Sequence, residues 1–498
     1  MLSAALLGVE AVLVRVEVDV SNGLPTFTTV GLPDSAVRES RERVRTAIRN
    51  AGFGFPSDRI TVNLAPADLR KEGTSFDLPI ALGILAATGL VKPREPFAVV
   101  GELALDGQIQ PVRGTLAVTL ACRRRGVETL LVPSGNHAEA GVVTGVRAIG
   151  ASTLREAVAL LNGEIAETPA PSSPASGVVF DDIDFADVRG QLHAKRALEI
   201  AAAGAHNVLL LGPPGTGKTM LARRLTTILP TLTADEAIEV STIWSVAGLL
   251  PSGAALVRRR PFRAPHHTIS APALVGGGGP PHPGEVTFAH LGVLFLDELP
   301  EFPQHVLESL RQPLEDGRVT IARASGVGDF PARFQLIGAA NPCRRGCPSL
   351  DLCVCTAAER SRYLGRLSRP LLDRIDLHVE LPALSHADLG TAAGDASAVV
   401  RQRVETARER QRARFKGTAI RVNATLSPRQ IRRLCTVPRD AERLLAAAMD
   451  QLGLSARGHD RVLKVARTIA DLEGAGTITA EHCAEALQYR GLDRRWRP

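Results

Sequence analysis

Aromatic side chains are scarce in this chain: 14 Phe, 2 Tyr and 2 Trp make up 4% of its 498 residues. A motor that grips extended polypeptide with pore aromatics has little to draw on here, which counts against a protein unfoldase. Lysine is scarcer still, since only 6 of the 59 basic residues are Lys and 53 are Arg; codon bias accounts for that imbalance. Long apolar runs are missing, and stretches such as 81–91 fall short of the roughly 18 residues needed to span a bilayer. The N-terminal MLSAALLGVEAVLV lacks a basic n-region and meets Glu10 and Arg15 early, so it reads as a first strand and not as a signal peptide. Cysteine is limited to 7 residues, four of them close together, which excludes a disulfide framework. These absences point to a cytoplasmic protein with no membrane partner.

What is present supports packed cores: 45% of residues are hydrophobic and 22% charged. The length suggests about three domains. Strand-like alternation at 12–20 and a helical pattern at 35–52 describe a first α/β unit, and ETPAPSSPASG at 167–177 reads as a linker. A helix at 194–204 then leads to short apolar runs at 208–211, 293–296 and 334–340, the pattern of a wound parallel sheet. From about 397 onward the pattern is purely helical. The net charge of +7 weakly favours polyanionic partners. RQRVETARERQRARFK at 401–416 carries seven positive and two negative charges; a solvated face and a DNA-contacting helix are both open to it.

The strongest chemical signal is Gly212, Pro213, Pro214, Gly215, Thr216, Gly217, Lys218 and Thr219, which fits GxxxxGK[ST] between a strand and a helix. Glycines let backbone N–H groups converge on phosphate oxygens, and the helix N-terminus adds a favourable dipole. Lys218 would bridge the β- and γ-phosphates of ATP, and Thr219 would coordinate Mg²⁺. About 80 residues on, an apolar run ends in Asp297 and Glu298. Asp297 would hold Mg²⁺ and Glu298 would polarise the attacking water. The next strand ends at Asn341, an amide placed to orient that water or a simple turn residue before Pro342. Arg374, in SRPLLDRIDLHVEL, suits an arginine finger reaching a neighbouring subunit, with Arg369 as competitor and a salt bridge to Asp373 or Asp376 as the alternative. Arg457, in LSARGHDR, could sense nucleotide as a second arginine, with Arg461 as its rival.

RPFRAPHHTISAPALVGGG at 260–278, GEVTFAHLGVLFLDELPEF at 284–302, LRQPLEDGRVTIARA at 310–324, NPC at 341–343 and LLDRIDLHVE at 371–380 together resemble the AAA+ ATPases, and among them the magnesium-chelatase-like ComM/YifB family. The resemblance implies a hexameric ring, ATP and Mg²⁺ as cofactors, and a motor acting on single-stranded or branched DNA, as in branch migration during natural transformation. It also implies a pore-facing hairpin, matched by 318–333 with Arg323 near its tip. A hairpin arginine there can hold phosphates without reading bases, or can merely face solvent.

KEGTSFDLPIALGI at 71–84 and GELALDGQIQPVRGTLAV at 101–118 are similar to the proteolytic domain of Lon. Ser75, or Thr74 beside it, falls at the nucleophile loop, but the position of the Lon lysine is occupied by Leu116. A serine without a basic partner has no activated hydroxyl, so a Lon-like fold without peptidase chemistry is expected. The expected architecture is thus a Lon-like (ribosomal S5 domain 2-like) α+β domain at 1–165, a linker at 166–178, an α/β P-loop core at 179–385 and a helical lid at 386–498.

Cys343, Cys347, Cys353 and Cys355 match a tetrahedral zinc site in number, although CxxxCxxxxxCxC is not a pair of CxxC knuckles and reduced loop thiols are the alternative. Cys122, Cys435 and Cys483 are isolated and read as buried structural thiols, and His266, His267, His282 and His290 as solvated or hydrogen-bonded. Beside the DNA motor stand three other functions: a chelatase-type motor remodelling a protein partner, an unfoldase or ATP-dependent protease, and a nucleotide-gated scaffold. Glu298 argues against the scaffold, which needs no base.

Overall fold

The computed structural model describes residues 1–92, 95–169, 183–251, 253–279, 281–323, 326–347, 353–383, 390, 394–418 and 420–491. Most of the expected linker, from 170 to 178, lies outside these. The chain divides into two compact units, one of Met1–Val179 with Thr233–Arg258 and one of Phe180–Leu232 with Arg259–Pro498. No helix among the described residues is long and apolar enough to cross a membrane.

The first unit is built on a mixed seven-stranded sheet in the order Thr26–Val30, Arg59–Ala65, Glu10–Ser21, Leu2–Leu7, Ala98–Val99, Thr129–Pro133, Arg147–Ala151. The opening apolar run therefore supplies the strand Leu2–Leu7 and the start of its antiparallel neighbour Glu10–Ser21, where the sequence suggests a single first strand. The helix Ser35–Asn50 starts where the Asp34 carboxylate accepts from Val37 N at 2.8 Å, and it buries Val37, Val44, Ala47 and Ile48 along one face. Arg43 on that helix grips the buried Asp77 with two bonds, 2.8 and 3.1 Å long.

The helix Ala234–Ala247 also belongs to this unit, although the sequence reading set it inside the P-loop core. A capping box of Thr233 and Glu236 starts it. Near its end, the Ser245 hydroxyl donates to the buried Glu139, the Ser245 carbonyl accepts from Gly114 N at 3.1 Å, and Val246 joins the apolar cluster of Ala117, Ala121 and Leu130. Glu139 is fully used, since it also accepts from Leu116 N at 2.9 Å and Asn136 Nδ2 at 3.1 Å. Local periodicity shows that 234–247 is helical; only tertiary contacts decide which core it joins.

The second unit holds an all-parallel five-stranded sheet, ordered Phe262–Arg263, Val293–Leu296, Gln335–Ala340, Val208–Leu211, Leu377–Glu380. VLLL and VLFL are buried at every position, as a parallel sheet covered on both faces demands. The first strand in the chain lies between the fourth and fifth, so the order reverses beside Val208–Leu211, and ligands favour the carboxyl ends of strands at such a switch point. The helices Ser397–Arg414 and Ala456–Glu473 pack on Leu192–Gly204, and their Val400, Val404, Ala466 and Ile469 share one core with Val208, Leu210 and Ile337. The C-terminal helices and the sheet thus share one hydrophobic core.

A buried polar knot fastens them. Asp376 accepts from His206 Nδ1 at 3.0 Å and from Arg461 at 3.0 Å, while His206 Nε2 meets Thr468 Oγ1 at 2.8 Å. Burial alone would raise the Asp376 carboxyl, but its bonds to His206 and Arg461 outweigh that and hold it well below the usual carboxylate range.

Candidate nucleotide-binding site

Gly212–Gly217 turns from the strand Val208–Leu211 into the helix Lys218–Ile228. Gly215 and Gly217 take φ of +80° and +85°, conformations that admit glycine readily and bring the backbone N–H groups round to one side. Lys218 is 8% exposed, and its Nζ donates to Gly212 O at 2.7 Å, Pro213 O at 2.8 Å and Asn341 Oδ1 at 3.1 Å. Burial lowers its pKa, with Asp297 and Glu298 opposing the shift. Thr219 Oγ1 donates to Asp297 Oδ2 at 2.7 Å. A hydroxyl and a carboxylate in contact at a helix N-terminus suit a hard cation carrying phosphate, so these residues fit Mg²⁺.

Asp297 also accepts from Glu298 N at 2.9 Å through its other oxygen. Glu298 has φ of +50°, a left-handed conformation that costs a non-glycine residue about 1 kcal/mol or more and that gathers at functional sites. Its side chain is 53% exposed, as a base acting on water must be. Lys218, Thr219, Asp297, Glu298 and Asn341 come from three strand ends; hydrogen bonds join Lys218 to Asn341 and Asp297 to both Thr219 and Glu298, and the adjacency of Lys218 and Thr219 in the chain brings the two groups together.

The sequence reading passed over one wall of this site. A cavity of about 310 Å³ is lined by Thr219, Asp297 and Glu298 together with Arg223, His266 and His267. His267 Nδ1 lies 3.5 Å from Glu298 Oε2, and its ring sits edge-on to Phe302 with centroids 6.4 Å apart. The short edge strand Phe262–Arg263 brings this segment in, and Arg263 is fixed by two bonds to Glu285, 2.6 and 2.7 Å long. The paired histidines in the sequence were the available signal; a Gly-rich neighbourhood hid it.

Arg374 stands apart. Its carbonyl accepts from Asn207 Nδ2 at 2.9 Å, and Asn207 precedes the strand whose far end carries the P-loop. Four residues of strand span about 13 Å, so the Arg374 backbone sits at the opposite end of this strand from its own phosphate site. It is 8% exposed and ion-paired to Glu315, neither Asp373 nor Asp376 being its partner, and it also donates to Pro370 O. Arg457 is exposed in the first turn of Ala456–Glu473, whereas its rival Arg461 is committed to Asp376. Neither Arg374 nor Arg457 lines the cavity.

Arg318–Arg323 and Gly326–Pro331 form the expected antiparallel hairpin, with Arg323 exposed at the end of its first strand. Asp329 steadies it by accepting from Thr320 at 3.2 Å and Arg318 at 3.4 Å.

The Sγ atoms of Cys343, Cys347, Cys353 and Cys355 all lie within 4.8 Å of one another, and three of the four residues are buried. A zinc–sulfur distance near 2.3 Å gives a tetrahedron with edges of roughly 3.8 Å, so the cluster needs only a small contraction to enclose one ion. Cys122, Cys435 and Cys483 are buried and free. In the first unit Leu116 is fully buried, and Thr74 donates to Glu102.

Comparison with known proteins agrees with this geometry. Residues 184–389 match the family described as magnesium chelatase, subunit ChlI; residues 394–490 match its C-terminal region, and residues 16–136 match the family described as subunit ChlI of Mg-chelatase. The chain is 48% identical to competence protein ComM of Haemophilus influenzae over 99% of its own length and 97% of that protein. It is 45% identical to YifB of Escherichia coli, a protein of uncharacterized function, over 98% and 96%. A stretch covering 25% of the chain is 27% identical to 16% of Lon protease 1 of Hydrogenovibrio crunogenus, in keeping with a Lon-like N-terminal domain. The chain belongs to the magnesium-chelatase-like AAA+ ATPase family that includes ComM and YifB.

Proposed function

We propose that this chain is a Mg²⁺-dependent ATP hydrolase that assembles as a hexameric ring and couples turnover to movement on DNA, as a helicase or branch-migration motor in transformation or recombination. The observation that carries the hydrolase reading is the gathering at three neighbouring strand ends of two bonded groups, Lys218 with Asn341 and Asp297 with Thr219 and Glu298. The DNA reading is supported by similarity along the whole chain to a competence protein and by the exposed Arg323 on its hairpin.

In this reading Lys218 exchanges its carbonyl and amide acceptors for phosphate oxygens. Thr219 and Asp297 would hold Mg²⁺, which neutralises phosphate charge when bound. Glu298 takes a proton from water, and Asn341 orients that water. Arg374 serves the site of a neighbouring subunit, since its own lies at the opposite end of the strand. Arg457 at the start of its helix responds to nucleotide as a second cation. The cysteine cluster carries a structural zinc ion, and the Lon-like domain has no peptidase activity because Leu116 supplies no base. The experiment is disassembly of a labelled four-way junction with ATP. Loss of the junction, abolished by Glu298→Gln and weakened by Arg323→Ala, is expected; an intact junction beside active ATPase would move the reading to a chelatase-type motor acting on a protein.

A further inference from the structure

The cysteine cluster is joined to the phosphate site through Asn341 and Gly346. Cys343 is fully buried two residues after Asn341, whose amide oxygen accepts from Lys218. The loop that follows turns at Gly346, with φ of +67°, directly against the P-loop: a Cβ at Gly346 would stand 2.8 Å from Pro214 Cγ. On the far side, Thr356 follows Cys355 and caps the helix Ala357–Leu364, whose Tyr363 is buried. Inside the cluster, Cys347 N donates to Cys343 Sγ at 3.4 Å. Four thiolates are soft ligands that select zinc over Mg²⁺ or Ca²⁺, and a spread of 4.8 Å encloses a single ion.

We infer that a zinc ion held by Cys343, Cys347, Cys353 and Cys355 clamps the P-loop and Asn341, so that zinc occupancy sets nucleotide affinity. The inference rests on the ATP-site reading above and adds a coupling between two sites. With zinc bound, Gly346 buttresses Pro214, and Asn341, two residues before Cys343, is held in place for Lys218. Without zinc the thiols separate, the buttress relaxes, and the loop must be ordered again by the nucleotide, which weakens binding. Such coupling is reciprocal: nucleotide must tighten zinc by the factor by which zinc tightens nucleotide.

The test measures ADP binding by calorimetry on the full chain as purified, after stripping with a thiol-directed mercurial and chelator, and after reduction and refilling with zinc. Elemental analysis counts the metal at each stage. We expect one zinc per chain, ADP affinity reduced about tenfold on stripping and restored on refilling, and zinc release to a chelator slowed by saturating ADP by the same factor. Cys353→Ser repeats the loss genetically, with circular dichroism confirming the fold; if that variant does not fold, the reversible stripping series decides. A reduced, zinc-supplemented chain that holds no zinc overturns the site. A stripped chain that binds ADP as well as the loaded one overturns the clamp. A zinc-loaded chain that binds no ADP at all contradicts the ATP-site reading and the clamp with it, while the zinc count still stands.

Discussion

Lys218 Nζ and Asn341 Oδ1 stand 3.1 Å apart, joining the P-loop to the end of the neighbouring strand. With Gly212 O and Pro213 O, Asn341 satisfies the buried ammonium, and in the proposed reaction phosphate replaces these acceptors. Lys218→Ala is expected to abolish ADP binding in a calorimetric titration. Asn341→Ala removes a group that orients water but leaves the lysine, so kcat is expected to fall about 100-fold while ADP affinity changes far less. An Asn341→Ala enzyme with unchanged kcat would remove that residue from the reaction.

In the proposed reaction Glu298 is the base, and His267 lies beside it. Glu298→Gln is expected to keep ATP binding and lose turnover by about 10²- to 10⁴-fold. In the proposed reaction His267, 3.5 Å from the Glu298 carboxylate, positions it. His267→Ala is expected to lower kcat about tenfold at unchanged KM. A variant that raises KM alone would place His267 against the nucleotide instead.

The Arg374 backbone lies at the opposite end of a strand from its own P-loop, so its effect should appear in mixed rings. Arg374→Ala subunits titrated into wild-type rings, with exchange verified by fluorescence transfer, are expected to depress activity more steeply than their fraction. A strictly proportional fall would contradict service to a neighbour. Because Arg374 pairs with Glu315, Glu315→Gln should release it and leave the fold intact.

Asp376 predicts how stability depends on pH. Its carboxyl is held below its ordinary value, so its contribution is present at neutral pH and is lost only as pH falls through and below the carboxylate range. Asp376→Ala strands His206 and Arg461 and should cost about 3–5 kcal/mol in denaturant unfolding. The gap from the native chain should be steady between about pH 5 and 8 and should narrow in acid. A gap that widens in acid would assign the stabilisation elsewhere.

The sequence carried the phosphate site nearly whole, because its chemistry depends on residues fixed to strand ends and a glycine turn, and such spacing is local. The strands at 208–211 and 293–296 were legible for the same reason, being short apolar runs between turns. Partners distant in sequence were not. Arg374 reads as an arginine finger, with an ion pair to Asp373 or Asp376 as the alternative, and the fold gives it Glu315 as its ion-pair partner. His267 read as a loop histidine, and an edge strand places it beside Glu298. The helix 234–247 read as part of the P-loop core, and Glu139 and the apolar cluster around Ala117 hold it in the first unit. In each case the deciding contact is tertiary and leaves no periodic mark.

The most direct test of the central claim is the steady-state ATPase rate with no DNA, with single-stranded DNA, with duplex and with a four-way junction, using Glu298→Gln as the blank. The account predicts a rate raised by DNA and raised most by the branched form. A robust rate indifferent to every DNA would contradict it and direct the search to a protein substrate.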